Sequence, residues 1–107
     1  MPDLNTVLAD IRAERARQDA KWGVQNHRDG TGLPGDAMIA RNAKADCDRA
    51  TRNGTLTYRL ILAEEVAEAF AERDPMKLRA ELAQVAAVAV AWIEKIDRLT
   101  AAGGGAP

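Results

Sequence analysis

The residues with the clearest chemical potential are acidic side chains at helical spacing in the second half of the chain. On a period of 3.6 residues per turn, four glutamates of one segment fall within a stripe about 100° wide. By the same count, Glu81 in the next segment falls inside an apolar sector, and Gln84 lies at the edge of that sector. The acidic stripe consists of Glu64, Glu65, Glu68 and Glu72.

Clustered carboxylates are unfavourable unless something neutralises them. A buried carboxylate loses hydration, and like charges one turn apart on a helix repel each other. Both costs disappear if the carboxylates converge on a divalent cation. A set of oxygen donors without Cys or His suits Mg²⁺ or Mn²⁺ rather than zinc. The alternative is a solvated acidic face with Glu81 extending to water, and spacing alone does not separate the two interpretations.

The same residues match a known motif. The segment EEVAE (residues 64–68), twelve intervening residues and then ELAQ (residues 81–84) resemble the EExxE…ExxD signature of the MazG-like, all-α NTP pyrophosphatases. In that superfamily the acids of two antiparallel helices hold Mg²⁺ against a nucleoside triphosphate, which is cleaved between its α- and β-phosphates. The resemblance covers about residues 60–97 and implies the same hydrolytic activity here.

The resemblance also implies a role for each matching residue. Glu65, Glu68 and Glu81 match the metal ligands, and Glu64 matches an extra acid, to which we assign the catalytic role of orienting or deprotonating water. The motif's final Asp is Gln84 here, whose carboxamide oxygen is neutral and binds Mg²⁺ more weakly than a carboxylate. The alternative is a catalytically weak or inactive protein of the same fold that binds a nucleotide or a protein partner.

Two helices joined by a tight turn are needed to bring these side chains together. Thr55 or Thr57 is suited to capping the first of them, which we expect to continue to Arg73. Asp74-Pro75 then predicts a cap followed by Pro at the first helical position, and a last helix to about Ala101. A turn this short makes the two helices antiparallel.

The first half of the chain contains two further predicted helices. One begins near Asp3 or Asn5 and ends at Trp22, before Gly23. Residues 23–35 are rich in glycine and form a loop. Asp36 is a suitable N-cap for a helix through Arg52, closed by Asn53-Gly54. With the resemblance, these elements predict an all-α protein, a four-helix MazG-like bundle with antiparallel motif helices.

Candidate substrate contacts come from the first helix and the loop after it. Arg15 and Gln18 interrupt an apolar row between Ile11 and Trp22. If both face inward they need partners, which a triphosphate or the opposing carboxylates would supply; the alternative is that the row ends at Ile11 and both lie in water. Residues 14–32 resemble the N-terminal part of phage- and bacteria-type MazG-like proteins. The predicted substrate-binding set is Arg15, Gln18, Lys21, Trp22 and His27.

Two members of that set have a plain structural alternative. Trp22 offers a surface on which a base can stack, but a tryptophan in the core or at a subunit interface explains it equally well. His27 is more simply a loop residue that contacts a neighbour than a catalytic base. Arg15 and Lys21 are expected to balance charge on the departing pyrophosphate.

Composition limits the remaining possibilities. With 107 residues, one domain over residues 1–101 is expected, followed by a flexible Gly-rich tail over residues 102–107. The 15 basic and 16 acidic residues give no field that favours nucleic acid or an anionic membrane. Cys47 is the sole cysteine, which predicts a buried structural residue and a cytoplasmic location.

The last predicted helix contains the segment VAAVAVAWI (residues 85–93), which is apolar on every side. This run is too short to span a bilayer, which needs roughly 20 apolar residues. A helix in so small a domain cannot bury every face against its own neighbours. We therefore expect a homo-oligomer, a homodimer or homotetramer, with this helix near the subunit interface.

Overall fold

The computed structural model describes residues 3–101, and within this range the chain forms four helices and no strands. The predicted all-α class is therefore confirmed for the described part of the chain. The predicted tail at residues 102–107 lies outside the described residues. The helices are α1 (Leu4–Trp22), α2 (Asp36–Asn53), α3 (Tyr58–Ala71) and α4 (Pro75–Ala101).

Both ends of α1 follow from local chemistry. The Asp3 side chain accepts a hydrogen bond from the Thr6 N–H at 3.0 Å, which satisfies one of the free donors of the first turn. At the other end Gly23 adopts a φ of 68° and its N–H donates to the Asp19 carbonyl at 2.8 Å. A positive φ is natural for glycine, so the predicted boundaries of α1 are confirmed.

The start of α2 differs from the prediction, whereas its end does not. Gly35 and not Asp36 is the N-cap, and Asp36 is the first helical residue. The reason is that the Asp36 carboxylate accepts the Leu33 N–H at 2.8 Å and so stabilises the preceding turn. Gly54 closes the helix in the left-handed conformation, with its N–H donating to the carbonyls of Ala50 and Thr51.

The helix α3 begins at the predicted cap but ends early. Thr57 Oγ1 accepts the Leu60 N–H at 3.2 Å. The expected extension to Arg73 is wrong, because α3 ends at Ala71 and Glu72 has an extended backbone. Glu72 is consequently outside the helix and outside the predicted acidic stripe.

The start of α4 confirms the Asp74-Pro75 prediction. Asp74 Oδ1 accepts the Met76 N–H at 2.9 Å, and the Asp74 carbonyl accepts the Leu78 N–H at 2.8 Å. Pro75 occupies the first helical position, where its missing N–H would have no partner within the helix. Only residues 72–74 separate α3 from α4.

The described chain divides into two compact units. The second unit, residues 29–89, contains α2, α3 and the first part of α4. Here α2 packs against α3, and the Cys47 thiol donates to the Leu60 carbonyl at 3.0 Å. Small side chains permit this close approach. The buried residues of the unit are Cys47, Ala50, Ala67, Ala69 and Leu78.

The first unit combines α1 with the end of α4, over described residues 3–28 and 90–101. Val7 and Val90 are its buried apolar residues. The other large apolar side chains of α1 are all more than one third exposed, and Trp22 is more than half exposed. The expectation of a single domain over residues 1–101 stays a prediction. No helix within the described residues has the length and apolarity needed to cross a membrane.

Candidate functional site

Two helices of the second unit carry the predicted acidic ligands. Glu65 and Glu68 lie on α3, with Glu68 about one turn before the end of that helix. Glu81 lies on α4, about two turns after its first residue. Only three residues join the two helices, so side chains one to two turns from the connection can approach each other.

The structure brings three of these carboxylates together. One oxygen atom from each of Glu65, Glu68 and Glu81 lies within 4.8 Å of the other two. All three residues are half-buried. We call these three residues the carboxylate cluster. Three acids from two helices therefore share a space in which a single atom can contact all of them.

The electrostatics of the cluster are unfavourable in the absence of a positive partner. Burial raises the pKa of Glu65 above its ordinary value of 4.5, and the negative charges of Glu81 and Glu64 raise it further. Burial is also the main cause that raises the pKa of Glu68, followed by the charges of Glu65, Glu64 and Glu81. Both side chains therefore hold protons more tightly than isolated carboxyls do.

Some oxygen atoms of the cluster also lack hydrogen-bond donors. Oε2 of Glu65 and Oε2 of Glu81 are buried and have no hydrogen-bond partner among the described residues. Within the same residues, the Lys and Arg side chains that form ion pairs do so on α1 and α2 rather than with the cluster. An unpaired buried carboxylate oxygen costs more than about 1 kcal/mol, so a proton, a hydrogen-bond donor or a cation at this position would stabilise the arrangement.

The donor set fits a hard divalent cation. Three carboxylates from two helices provide only oxygen ligands, and the two orphaned oxygen atoms are available for coordination. Mg²⁺ binds one or a few carboxylates and completes its octahedral shell with water and substrate phosphates. Burial and repulsion raise the pKa of Glu65 and Glu68, and a cation at this position would favour their charged forms.

Gln84, the fourth predicted ligand, lies on α4 three residues after Glu81. Residues at this spacing share a helix face, so Gln84 and Glu81 are neighbours on α4. The side chain of Gln84 is exposed, in contrast to the half-buried Glu81. The role of Gln84 as a weaker fourth ligand stays a prediction.

Glu64, the predicted catalytic acid, lies outside the carboxylate cluster as defined by the oxygen distances. It is half-buried on α3 and interacts with the Cys47 thiol of α2. Burial raises the pKa of Cys47 to about 11, with further contributions from the hydrogen bond to Glu64 and from its charge. The negative charge of Glu64 also raises the pKa of Glu65 and of Glu68. Glu64 therefore lies beside the cluster and against α2.

Most of the predicted substrate contacts line a cavity in the first unit. This cavity has a volume of about 630 Å³ and is lined by Arg15, Gln18, Trp22 and His27 together with neighbouring residues. A second, smaller recess includes Lys21, whose Nζ lies 4.8 Å from the centre of the Trp22 ring. At this distance the ammonium is attracted to the face of the ring.

Of the two orientations considered for Arg15, this structure shows the exposed one. Its guanidinium donates to Gln18 Oε1 at 2.8 Å and to Asp19 Oδ1 at 3.0 Å, and its side chain is 59% exposed. Arg15 therefore finds its partners on α1 itself. Trp22 is also more than half exposed, and His27 contacts Gln25 within the loop at 3.2 Å. The substrate role of these residues stays a prediction.

The sequence did not predict several contacts around the cavity of the first unit and around the carboxylate cluster. Asp19 lines the cavity and binds Arg15, and its position four residues after Arg15 was a sufficient signal. The proximity of Cys47 to Glu64 depends on how α2 packs against α3, and no local pattern reveals it. The same is true of the loop residues Thr31 and Gly32, which bond to the end of α3.

No protein-family model, curated protein or solved structure matches this chain. The resemblance to the MazG-like superfamily therefore rests on the motif residues of α3 and α4. The convergence of their carboxylates is an independent observation, because it follows from the positions of atoms and not from the motif.

Proposed function

We propose that this chain is a Mg²⁺-dependent nucleoside triphosphate pyrophosphohydrolase, which converts a ribo- or deoxyribonucleoside triphosphate to its monophosphate and pyrophosphate. The carboxylate cluster is the observation that carries the proposal. Its half-buried, mutually repelling acids with two orphaned oxygen atoms are suited to holding a hard cation against a polyphosphate.

The proposed ligands are Glu65, Glu68 and Glu81, with Gln84 as a neutral fourth group; Mn²⁺ is an acceptable substitute for Mg²⁺. When bound, the cation neutralises the phosphate oxygens and lowers the pKa of a bound water. Glu64 is the proposed group that orients this water and accepts its proton. The water oxygen adds to the α-phosphorus, the bond from that phosphorus to the oxygen bridging to the β-phosphorus breaks, and pyrophosphate leaves.

The residues of the first unit form a separate part of the proposal. Its cavity has an exposed indole, an arginine and a histidine, which are side chains that contact bases and phosphates in many proteins. We propose that Arg15 and Lys21 contact phosphate and that Trp22 stacks on the base. Gln18 and His27 are proposed as hydrogen-bonding groups, and each assignment is testable by substitution without reference to the metal ligands.

A homo-oligomer in a reducing, cytoplasmic environment is also part of the proposal. Ile93, Ile96 and Leu99 follow one another at a spacing of three residues on α4 and are each about 40% exposed. Exposed apolar side chains in a row are typical of interfaces. Light scattering coupled to size exclusion distinguishes the proposed dimer or tetramer from a monomer.

The test of the proposed function is a panel of ribo- and deoxyribonucleoside triphosphates incubated with Mg²⁺. Monophosphate and pyrophosphate should appear in equal amounts, which distinguishes this cleavage from release of inorganic phosphate. Glu65→Gln should reduce the rate by at least about 100-fold, because it removes a charged ligand. Glu94→Gln is the matched control, since Glu94 is a half-buried glutamate of α4 outside the cluster, and this variant should remain active.

The two alternatives give different results in the same panel. A nucleotide- or protein-binding module without catalysis would release no pyrophosphate but would still be stabilised by Mg²⁺. A helical interaction module with a merely solvated acidic face would show neither effect. The second alternative is disfavoured by the two buried carboxylate oxygens, because a solvated face leaves its oxygen atoms in contact with water.

A further inference from the structure

The loop before α2 binds to the end of α3. The Thr31 hydroxyl donates to the Glu72 carbonyl at 2.5 Å, and the Gly32 N–H donates to the Phe70 carbonyl at 2.7 Å. The last carbonyls of a helix have no partner within the helix. The Phe70 carbonyl in the last turn of α3 and the carbonyl of its C-cap residue, Glu72, therefore obtain donors from a segment about 40 residues earlier in the chain.

Glycine is required at the second of these positions. Gly32 has a φ of 72°, a conformation that other residues rarely adopt. A Cβ atom built on it would also lie 2.9 Å from Nε and 3.1 Å from Cδ of Arg73. The Arg73 side chain thus covers the loop at the point where the loop bonds to α3. A side chain at this position would require the Arg73 side chain to move.

The position of this contact relates it to the carboxylate cluster. Glu68 lies one turn before Glu72 on the same chain segment, and residues 72–74 are the covalent connection to the helix that carries Glu81. Asp74 fixes the α4 side of the connection through its own cap. The α3 side has no side-chain cap of its own among the hydrogen bonds of the described residues, and the loop supplies its donors.

We infer that Thr31 and Gly32 are positioning residues for the carboxylate cluster. By binding the Glu72 and Phe70 carbonyls, they hold the end of α3 so that Glu65 and Glu68 stay opposite Glu81. This inference rests on the proposed function, since it assigns the two residues a role in cation affinity. Neither residue touches the reacting groups, and neither is a ligand.

The test measures cation affinity separately from stability. The free energy of unfolding of the full chain is measured as Mg²⁺ is titrated, and its increase is fitted to RT ln(1 + [Mg²⁺]/Kd). The fitted apparent dissociation constant is called the Mg²⁺ midpoint below. Thr31→Val removes the hydroxyl with little change in shape and should raise the Mg²⁺ midpoint about tenfold, the loss typical of residues that orient ligands. Thr31→Ser restores the hydroxyl and should return the midpoint to that of the unaltered protein.

Thr55→Val is the matched control. The Thr55 hydroxyl donates to the Ala50 carbonyl at the end of α2 at 3.5 Å, so the variant makes the same chemical change at a different helix end, where the bond is longer. It should lower the metal-free melting temperature and leave the Mg²⁺ midpoint unchanged. If Thr31→Val fails to fold, Thr31→Ala is measured in its place and must show the same increase in midpoint.

Two results would overturn the inference in distinguishable ways. A Thr31→Val protein with a lower melting temperature but an unchanged Mg²⁺ midpoint would show that the loop contact has a purely structural role, while the proposed function would stand. An unaltered protein whose melting temperature does not respond to Mg²⁺ would overturn the proposed function and the inference together.

Discussion

The charged residues of α1 and those of the carboxylate cluster have similar helical spacing but opposite environments. On α1, Arg15 pairs with Asp19 at 3.0 Å and Arg17 pairs with Glu14, and all four side chains are more than half exposed. The cluster consists of like charges, is half-buried and contains buried oxygen atoms without hydrogen-bond partners. The first group neutralises itself, whereas the second does not.

This difference is the reason why we propose a ligand for the carboxylate cluster and none for the charged residues of α1. An exposed pair of opposite charges at a spacing of three or four residues contributes about 0.2–0.5 kcal/mol and needs nothing further. Half-buried like charges repel one another and lower the free energy of unfolding, and the proposed cation would remove this cost. Helical periodicity detects both patterns equally well, and only burial and the sign of the neighbours separate them.

The largest effect expected from this comparison is on stabilisation by Mg²⁺. At a Mg²⁺ concentration 100 times the dissociation constant, the unaltered protein should gain about 2.7 kcal/mol, and Glu68→Gln should abolish this gain. In the absence of metal the same variant should melt at a higher temperature, because one of the repelling charges is gone. Thermal denaturation with and without Mg²⁺ measures both effects.

A smaller effect is expected at the fourth predicted ligand. Gln84→Asp adds a carboxylate next to Glu81 and should lower the Mg²⁺ midpoint about tenfold, together with a gain in pyrophosphate release. Ala86→Asp adds the same charge on another side of α4 and should leave the midpoint unchanged. An unchanged midpoint in Gln84→Asp would mean that the site has adapted to a neutral fourth group.

The pH dependence of stability provides a third comparison. The pKa values of Glu65 and Glu68 are raised in the folded state. Between pH 4.5, the ordinary pKa, and the raised pKa values, the folded state therefore binds more protons than the unfolded chain. The free energy of unfolding without metal should therefore fall as pH rises through this range and level off above the raised values. Urea denaturation at several pH values should show a flatter profile for Glu65→Gln, and an unaltered slope would contradict the cause given for the shift.

The smallest effect is expected on α1. Asp19→Asn breaks the ion pair with Arg15 and should lower the free energy of unfolding by less than about 0.5 kcal/mol, independently of Mg²⁺. The removal of an acid near the end of a helix also relieves repulsion with the helix dipole, which reduces the loss further. A loss above about 1 kcal/mol in urea denaturation would contradict the interpretation that the exposed ion pairs of α1 contribute little to stability.

Helix positions were predictable because their signals are local. Asp3, Thr57 and Asp74-Pro75 begin helices through hydrogen bonds to residues two to four positions away, and Gly23 and Gly54 end them. The end of α3 was not predictable in this way. The Glu72 carbonyl that follows it accepts a hydrogen bond from Thr31, 41 residues earlier, and no local pattern indicates this contact.

For the candidate site, too, the features set by local helical geometry were predictable and those set by packing between helices were not. Spacing identified the acids of α3 and α4 because side-chain direction follows from helical geometry. Burial of individual oxygen atoms and the contact of Glu64 with Cys47 arise from packing between helices, which no periodicity describes. The ion pair of Arg15 with Asp19, in contrast, was predictable from sequence, because the acid lies four residues later on the same helix.

The buried thiol of Cys47 provides a built-in reporter of helix separation. With a pKa of about 11 and a hydrogen bond to the Leu60 carbonyl, it is protonated at neutral pH and unreactive toward alkylating reagents while α2 and α3 remain packed. Modification by iodoacetamide then requires a transient opening of this helix pair, so its rate measures the opening equilibrium directly. Any ligand that tightens α3 against its neighbours will protect the cysteine from the reagent.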